Sequence, residues 1–493
     1  MKKTVLLISF FLAFGSAILT AQEKESLHPC GTSDEISPWL IEYQNNTAAY
    51  KTLAGIIYVP LTVHLVGQDN ETGYFSVQRT LDALCTLNND FEPSEIQFFL
   101  ANEFNYIPNS EWYDHEDYGP GYDMMNSSNF DNSLNAYIVA NPAGNCGYYA
   151  PGGDAVALGR SCMGPNDHTW AHEMGHYLSL PHTFSGWEGY DHDYNEPAPT
   201  TLRGRQVEKV DRSNCRNAGD RFCDTPADYL NFRWSCDENG ESRLLIGPNN
   251  TEFRADGTLF MSYSNDACAS RFSDEQIAAM RANLQSDRDD LPFLLEDPGF
   301  IDPNTTIVLS TPAENELVNP EEVTLSWEPV ENATSYIVEG TIFNNTFSLI
   351  DFVRVVNTNS VVLENLKPGR TYYWRIRPYS AYSYCKFFSA TGTFKTDVNT
   401  SLKQIPGINS LEIFPTLASA GQPTVQVKLI SDARQKLITQ LVDVSGKIHS
   451  TEVIALNSGE SKFEISIENL PAGLYFLRFQ NENGVTNRRI VIQ

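Results

Sequence analysis

The sequence predicts a multidomain chain: an α+β domain, built as a mixed sheet plus one site-bearing helix, followed by two small all-β sandwich domains. Three observations carry that expectation. Strand-like and helix-like segments alternate between Ile57 and Ala140, the pattern of an α/β layer. A histidine-rich helical stretch follows at His172-Glu173-Met174-Gly175-His176. Past Asp302-Pro303 the chain changes to short alternating strands separated by turns. With 493 residues there is room for roughly two to four domains, each able to bury a core.

Taken in order, Met1 to Ala21 has two lysines, the apolar run Val5 to Leu12 and a small-residue end at Leu19-Thr20-Ala21. That reads as a secretory signal peptide and not a membrane span. No later stretch reaches the ~18 apolar residues that crossing a bilayer needs. The net charge of −28 argues against nucleic acid or an anionic membrane as partner, and it suits calcium and basic peptides. Nine cysteines in an exported chain imply disulfides plus at least one odd thiol.

Residues 22–55 form a short polar stretch containing Cys30-Gly31-Thr32. Cys30 is either the odd thiol or half of a disulfide with Cys85 or another cysteine. Ile57 to Val66 is β-branched and apolar, hence a strand. Val77 to Phe91 has apolar residues at Val77, Leu81, Leu84, Cys85 and Leu87, which is helical spacing and puts Cys85 on the buried face. Ile96 to Leu100 and Ala136 to Ala140 are further buried strands. Tyr106 to Asn132, rich in Asp, Asn, Gly and Tyr, reads as a surface loop. Cys146 and Cys162 flank Gly147 to Gly159 and are candidates for a bond with each other.

Gly164-Pro165-Asn166-Asp167 is turn chemistry, and Asn166 or Asp167 can cap the helix that follows. On that helix His172 and His176 are four apart and share a face, so both can reach one metal ion. Glu173 is turned toward the open coordination position, where it can take a proton from water. Pro181 stops the helix, and His182, six residues after His176, can return as a third ligand. A bare H-E-x-x-H occurs by composition in on the order of one chain in a hundred. The third histidine, the turn after the helix and the start before it make coincidence a poor account. The reading is a catalytic zinc site with three protein ligands. His168 shares the face of His172 and is expected at the outer surface or substrate rim; Gly186 to Asp193 is expected to be a solvated loop.

These residues resemble the metzincin pattern H-E-x-x-H-x-x-G-x-x-H. The flanks are similar to the pappalysin or cytophagalysin branch, H-E-x-G-H-x-x-G-L-x-H-T-F, here ending Leu180-Pro181-His182-Thr183-Phe184. The resemblance runs from about Ile57 to Leu291 and implies a metzincin-like catalytic domain. The family glycine is Ser179 here; a non-glycine residue at φ > 0 costs roughly 1 kcal/mol. Leu259 to Cys268 followed by Phe272-Ser273-Asp274-Glu275-Gln276 resembles the family stretch N-x-M-x-Y-x-x-D-x-C-x-x-x-F-T-x-x-Q. By that match Met261 is the apolar floor under the ligands and Tyr263 hydrogen-bonds the tetrahedral oxygen. Asp266 then sits in the pocket for the residue after the scissile bond, which implies cleavage before arginine, with lysine second.

The same resemblance makes residues 22–55 a pro-segment whose Cys30 blocks the zinc in a latent form. It makes Gly147 to Gly159 an edge strand that pairs with extended substrate. Gly219-Asp220-Arg221-Phe222-Cys223-Asp224-Thr225-Pro226 is similar to the family's calcium-binding G-D-x-x-x-D-T-P, implying Asp220, Thr225 and the Phe222 carbonyl as ligands. It also implies a Cys236 to Cys268 disulfide; proximity alone suggests Cys215 with Cys223. Ser273 to Leu284 is a closing helix capped by Ser273 or Asp274.

Val323 to Trp327, Tyr336 to Glu339 and Leu366 to Ile376 resemble a fibronectin type III domain, with Trp327 as core tryptophan and Tyr372 as corner tyrosine. Cys385 has no evident partner. Leu411 to Thr416, Val442 to Lys447 and Leu470 to Tyr475, with Arg488-Arg489 near the end, resemble a type IX secretion C-terminal sorting domain.

The expected order is signal peptide 1–21, pro-segment 22–55, metallopeptidase domain 56–300, fibronectin-like domain 303–397 and sorting domain 402–493. The function read from it is a secreted or cell-surface zinc endopeptidase, made as a zymogen. Protein or peptide substrates and the type IX secretion machinery are the implied partners. The alternative is a secreted adhesin on an inactive metalloprotease fold.

Overall fold

A computed structural model describes residues 27–50, 54–398, 405–418, 423–482 and 484–493. The expected signal peptide, 1–21, lies outside the described residues. Contacts divide the chain into two units. One is residues 1–306 with 329–337 and 377–388; the other is 307–328, 338–376 and 389–493.

In the first unit β1, Ile57–Gly67, is buried at every one of its positions. Most of its residues are apolar, as a strand covered on both faces requires, and the buried Thr62 and His64 are hydrogen-bonded to Ser133 and Asn135. It pairs in parallel with β2, Ile96–Leu100, and further along with β3, Asn105–Pro108. Its other side takes β5, Leu134–Val139, again in parallel. Beyond β5 lie β8, Ala155–Gly159, and at the edge β7, Gly147–Ala150, which alone runs antiparallel. The sheet is therefore mixed, and β7 leaves one side free for another chain segment.

Helix α2, Val77–Phe91, is capped by the Ser76 side chain, which accepts from Arg79 N. Its apolar face packs on the sheet. Cys85 is not a simple buried thiol: it is bonded to Cys385, 300 residues away. The stretch expected as a surface loop also differs. It holds α3, Ser110–Tyr113, and α4, Tyr118–Ser128, with Met124 and Met125 fully buried beside Tyr137 and Val139. The Asn and Asp residues that looked like loop chemistry are caps: Asn109 accepts from Trp112 N and Asp117 from Gly119 N. Between and after these helices, β4, Asp114–His115, pairs with β6, Asn141–Pro142.

The short helix α1, Pro38–Asn45, and two longer helices also belong to this unit. Every residue of α5, Thr169–Tyr177, is buried, and it packs against β7 and β8. Helix α6, Asp274–Ser286, begins with a reciprocal capping box between Ser273 and Gln276. One core cluster joins the sheet, α2, α5 and α6 and includes Tyr379 and Tyr384. Arg377 pairs with Asp82, and the Tyr384 hydroxyl donates to the Phe98 carbonyl.

The second unit is all-β. Sheets of three and five strands carry the part before residue 397, with Trp327 buried and the Tyr372 hydroxyl accepting from Lys367 N at 2.9 Å. A second pair of sheets, three and five strands again, encloses Val425, Leu437, Leu441, Leu477, Phe479 and Ile490. Among the described residues no helix is long and apolar enough to cross a membrane.

Candidate metal centre

Helix α5 has His168 at its N-cap, with no side-chain cap bond, so neither Asn166 nor Asp167 is the capping residue; Asp167, one residue earlier, accepts from Thr169 N at 3.0 Å. The helix stops at a turn: Leu180 N returns to Gly175 O at 2.9 Å, and Ser179 adopts φ 73°. Asn283 Nδ2 donates to Ser179 Oγ at 3.0 Å, which offsets part of the strain a serine meets there. This turn carries His182 back toward the helix.

The three imidazoles meet. His176 Nε2 is 3.1 Å from His172 Nε2 and 3.1 Å from His182 Nε2, and Cys30 Sγ joins them within 4.8 Å. Each far nitrogen has an acceptor: His172 Nδ1 the Phe260 carbonyl at 2.7 Å, His176 Nδ1 the Leu180 carbonyl at 2.7 Å, and His182 Nδ1 Glu188 Oε1 at 3.2 Å. Those bonds put the ring protons on Nδ1 and leave three Nε2 lone pairs facing one another. Burial first, and the neighbouring histidines second, push His172 down to about 3 and His176 well below its ordinary value. Protonation is thus a poor remedy for the repulsion, and a cation that prefers nitrogen and sulfur fits the set: zinc does.

Glu188 belongs to the stretch read as a solvated loop. The structure bears that out for Gly189, Asp191 and Asp193, which are exposed, but not for Trp187, which is buried, nor for Glu188, whose Oε2 accepts from Gly186 N at 2.7 Å while Oε1 serves His182.

Glu173 is fully buried beside the cluster. Its Oε2 accepts from Thr32 Oγ1 at 3.0 Å and from the Cys30 thiol at 3.5 Å; Oε1 has no hydrogen-bond partner. Burial pushes its carboxyl up to about 8, in the range a group needs to exchange protons near neutral pH. Gly147 on β7 makes room for it, since a Cβ there would lie 2.8 Å from Glu173 Cγ.

Met261 is fully buried under α5, and its sulfur fills the space a side chain at Gly175 would need. Tyr263, also buried, donates its hydroxyl to the Cys30 carbonyl at 3.0 Å, with its ring centroid 4.9 Å from that of His182. Asp228, not singled out by sequence, ties the two turns together. Its Oδ2 accepts from Thr183 Oγ1 at 2.8 Å and Ser262 Oγ at 2.9 Å, and its Oδ1 from Leu230 N at 3.0 Å. Asp228→Ala leaves these buried donors unpaired and is expected to destabilise the first unit by about 3 kcal/mol or more. Urea unfolding checks it, and a change below about 1 kcal/mol would contradict the bridging role.

Asp266 lines a small cavity with His168, His172, Phe260 and Tyr263. Its Oδ1 accepts from His168 N at 3.1 Å, and its Oδ2 pairs with Arg233 of the same chain. His168 Nδ1 lies 2.8 Å from Asp90 Oδ2.

Residues 28–32 run along the free edge of β7. His28 pairs in parallel with Asn145, Cys146 N donates to His28 O, and Gly31 N donates to Gly147 O. Cys30 is the free cysteine, fully buried; burial and the Glu173 charge push its thiol well up. The other eight form Cys85–Cys385, Cys146–Cys162, Cys215–Cys223 and Cys236–Cys268.

Thr225 Oγ1 lies 3.0 Å from both Asp220 Oδ1 and the Phe222 carbonyl. Asp220 Oδ2 and both oxygens of Glu208 are buried without a hydrogen-bond partner. Burial and the Asp220 charge push Glu208 up to about 9; burial above all pushes Asp220 up to about 8. Orphaned buried carboxylate oxygens beside a carbonyl and a hydroxyl form a hard-oxygen set that fits calcium. Glu208 was missed by sequence reasoning, since no spacing ties it to Asp220.

The profile of the secretion system C-terminal sorting domain matches residues 418–493. An extracellular metalloprotease of Colletotrichum graminicola is 27% identical over 248 residues, covering 44% of this chain and 87% of the relative. Another, from Verticillium alfalfae, is 26% identical over 250 residues, covering 46% and 76%. Among solved structures, the chicken CNTN1 FN1-FN3 domains align at 14% identity and TM-score 0.18, over 38% of this chain and 64% of that one. The fn3 domain of human contactin 1 aligns at 19% identity and TM-score 0.16, over 18% and 78%. The chain is a secreted or cell-surface protein with a secretion sorting tail. It is distantly related to extracellular metalloproteases.

Proposed function

We propose that the chain is a zinc-dependent endopeptidase of the metzincin class, close to the pappalysins, made as a latent zymogen. The observation that carries this is the meeting of three buried Nε2 lone pairs, with a buried carboxylate next to them. The proposed organisation keeps a pro-segment at 22–55, a catalytic domain at 56–300, a fibronectin-like domain at 303–397 and a sorting domain at 402–493.

In this reading His172, His176 and His182 hold zinc, and Glu188 and the Phe260 and Leu180 carbonyls fix their tautomers. Zinc bound there supplies a Lewis acid that polarises the scissile carbonyl and acidifies water. Glu173, next to the metal ligands, takes the water proton and returns it to the leaving amine. Tyr263, released from the Cys30 carbonyl, donates its hydroxyl to the oxygen that gains charge. Met261 supports the ligands from below.

Extended substrate takes the edge of β7 that residues 28–32 occupy in the latent form. The residue after the scissile bond enters the Asp266 pocket, so we propose cleavage before arginine, with lysine second. A substrate guanidinium would compete with Arg233 for that carboxylate. Both partners are partly exposed, 39% and 28%, so that pair costs only about 0–1 kcal/mol to open. Asp220, Thr225, the Phe222 carbonyl and Glu208 are the proposed calcium ligands.

The test is a peptide library incubated with the processed protein, with and without chelator and with zinc restored. Hydrolysis that chelation stops and zinc restores, with arginine after the cut bond, is expected. Zinc-bound protein that cleaves nothing would leave the adhesin reading in its place.

A further inference from the structure

We propose that Thr32 is a second latch on the latent state, acting on the general base and the sheet edge while Cys30 acts on the histidines. This rests on the zymogen reading above. A threonine hydroxyl has one proton to give and lone pairs to receive with. Here both are used across the cleft: Thr32 Oγ1 donates to Glu173 Oε2 at 3.0 Å and accepts from Tyr149 N at 2.8 Å. Tyr149 lies on β7, whose other side is already paired with β8. Its outward N–H is therefore one a peptide bound along the edge would take.

The backbone of the same residue holds the sulfur. Thr32 N donates to Cys30 Sγ at 3.2 Å, which steers the thiol toward the three Nε2 atoms. The two preceding residues add anchors at the cleft: Gly31 N to Gly147 O at 2.9 Å and the Tyr263 hydroxyl to Cys30 O at 3.0 Å. Gly31 is pressed against Asn145, leaving no room for a side chain: a Cβ would lie 2.6 Å from Asn145 Nδ2. Cys30, Gly31 and Thr32 thus act as a unit, in which the sulfur covers the metal ligands, the glycine permits the approach and the hydroxyl covers Glu173 and the edge amide. Removing the hydroxyl takes the shorter of two hydrogen bonds from Glu173 Oε2, leaving the Cys30 thiol at 3.5 Å, and takes that acceptor from the Tyr149 edge N–H, and the segment then leaves the cleft more often.

The test uses the full chain and a readout that does not depend on activity. Cys30 is the free thiol, the other eight cysteines being bonded, so its alkylation by iodoacetamide, followed by mass spectrometry, measures how often the segment opens. Thr32→Val is expected to alkylate about tenfold faster than wild type or more, the scale of one buried polar group left without its partner. Thr32→Ser, which keeps the hydroxyl, is expected to stay near the wild-type rate. Should the valine variant fail to fold by circular dichroism, Thr32→Ala replaces it. Equal rates for wild type and the hydroxyl-free variant, or a serine variant as fast as that one, would overturn the latch. Peptide hydrolysis by the processed protein, freed of residues 22–55 and measured in parallel, addresses the peptidase reading separately: no hydrolysis sinks that reading and leaves the alkylation result standing.

Discussion

Glu173→Gln is expected to lower peptide hydrolysis by roughly 10²–10⁴-fold, the range of a positioned acid-base group, with the zinc content unchanged. Glutamine keeps the shape of the side chain, and its amide oxygen can still accept from Thr32 Oγ1. The site should therefore assemble while its proton carrier is lost. Turnover with a fixed peptide, read beside metal analysis of the same sample, separates the two effects. Activity within about threefold of wild type would remove Glu173 from the chemistry, because the 10²-fold lower bound of such a role could not then hold.

The second large effect is on the metal. His182→Ala takes away one of three proposed ligands, and zinc binding is expected to weaken by well over the ~100-fold that a lost outer-shell partner costs. Glu188→Gln is the graded comparison. It leaves the imidazole but replaces the carboxylate that Nδ1 donates to, and an affinity loss of about 10- to 100-fold is expected. Stability should follow by linkage. Zinc at about 1,000 times its dissociation constant stabilises the folded chain by ~4.1 kcal/mol, so the His182 variant should melt like chelated wild type. Competition titration with a chromophoric chelator and thermal unfolding measure both. Equal zinc affinity in His182→Ala and wild type would break the three-histidine reading.

What could be read in the sequence was whatever short-range spacing determines. The helix of His172 and His176 and the return of His182 fall within eleven consecutive residues, and a single turn at Ser179 with φ 73° completes them. Strand β1 was legible because burial on both faces leaves a mostly apolar, β-branched run, with Thr62 and His64 the polar exceptions. Glu188 was not, because its role depends on Gly186, at φ 94°, folding a polar segment back over His182. Nor was Asp228, which acts through hydroxyls on two distant turns. Helices α3 and α4 were misread because Asn109 and Asp117 are both good turn residues and good caps. The partner of Cys85 lies 300 residues further on, beyond any local pattern.

That last link bears on where the first unit ends as a piece of polypeptide. Severing the chain after Gly299 would not release a finished body. Cys85 would lose its sulfur partner, Asp82 the guanidinium of Arg377, and the Phe98 carbonyl the hydroxyl of Tyr384. This body is complete only with residues 377–388 in place against helix α2. A protease cutting once between residues 85 and 385 would leave two fragments that travel as a single band until a reductant parts them.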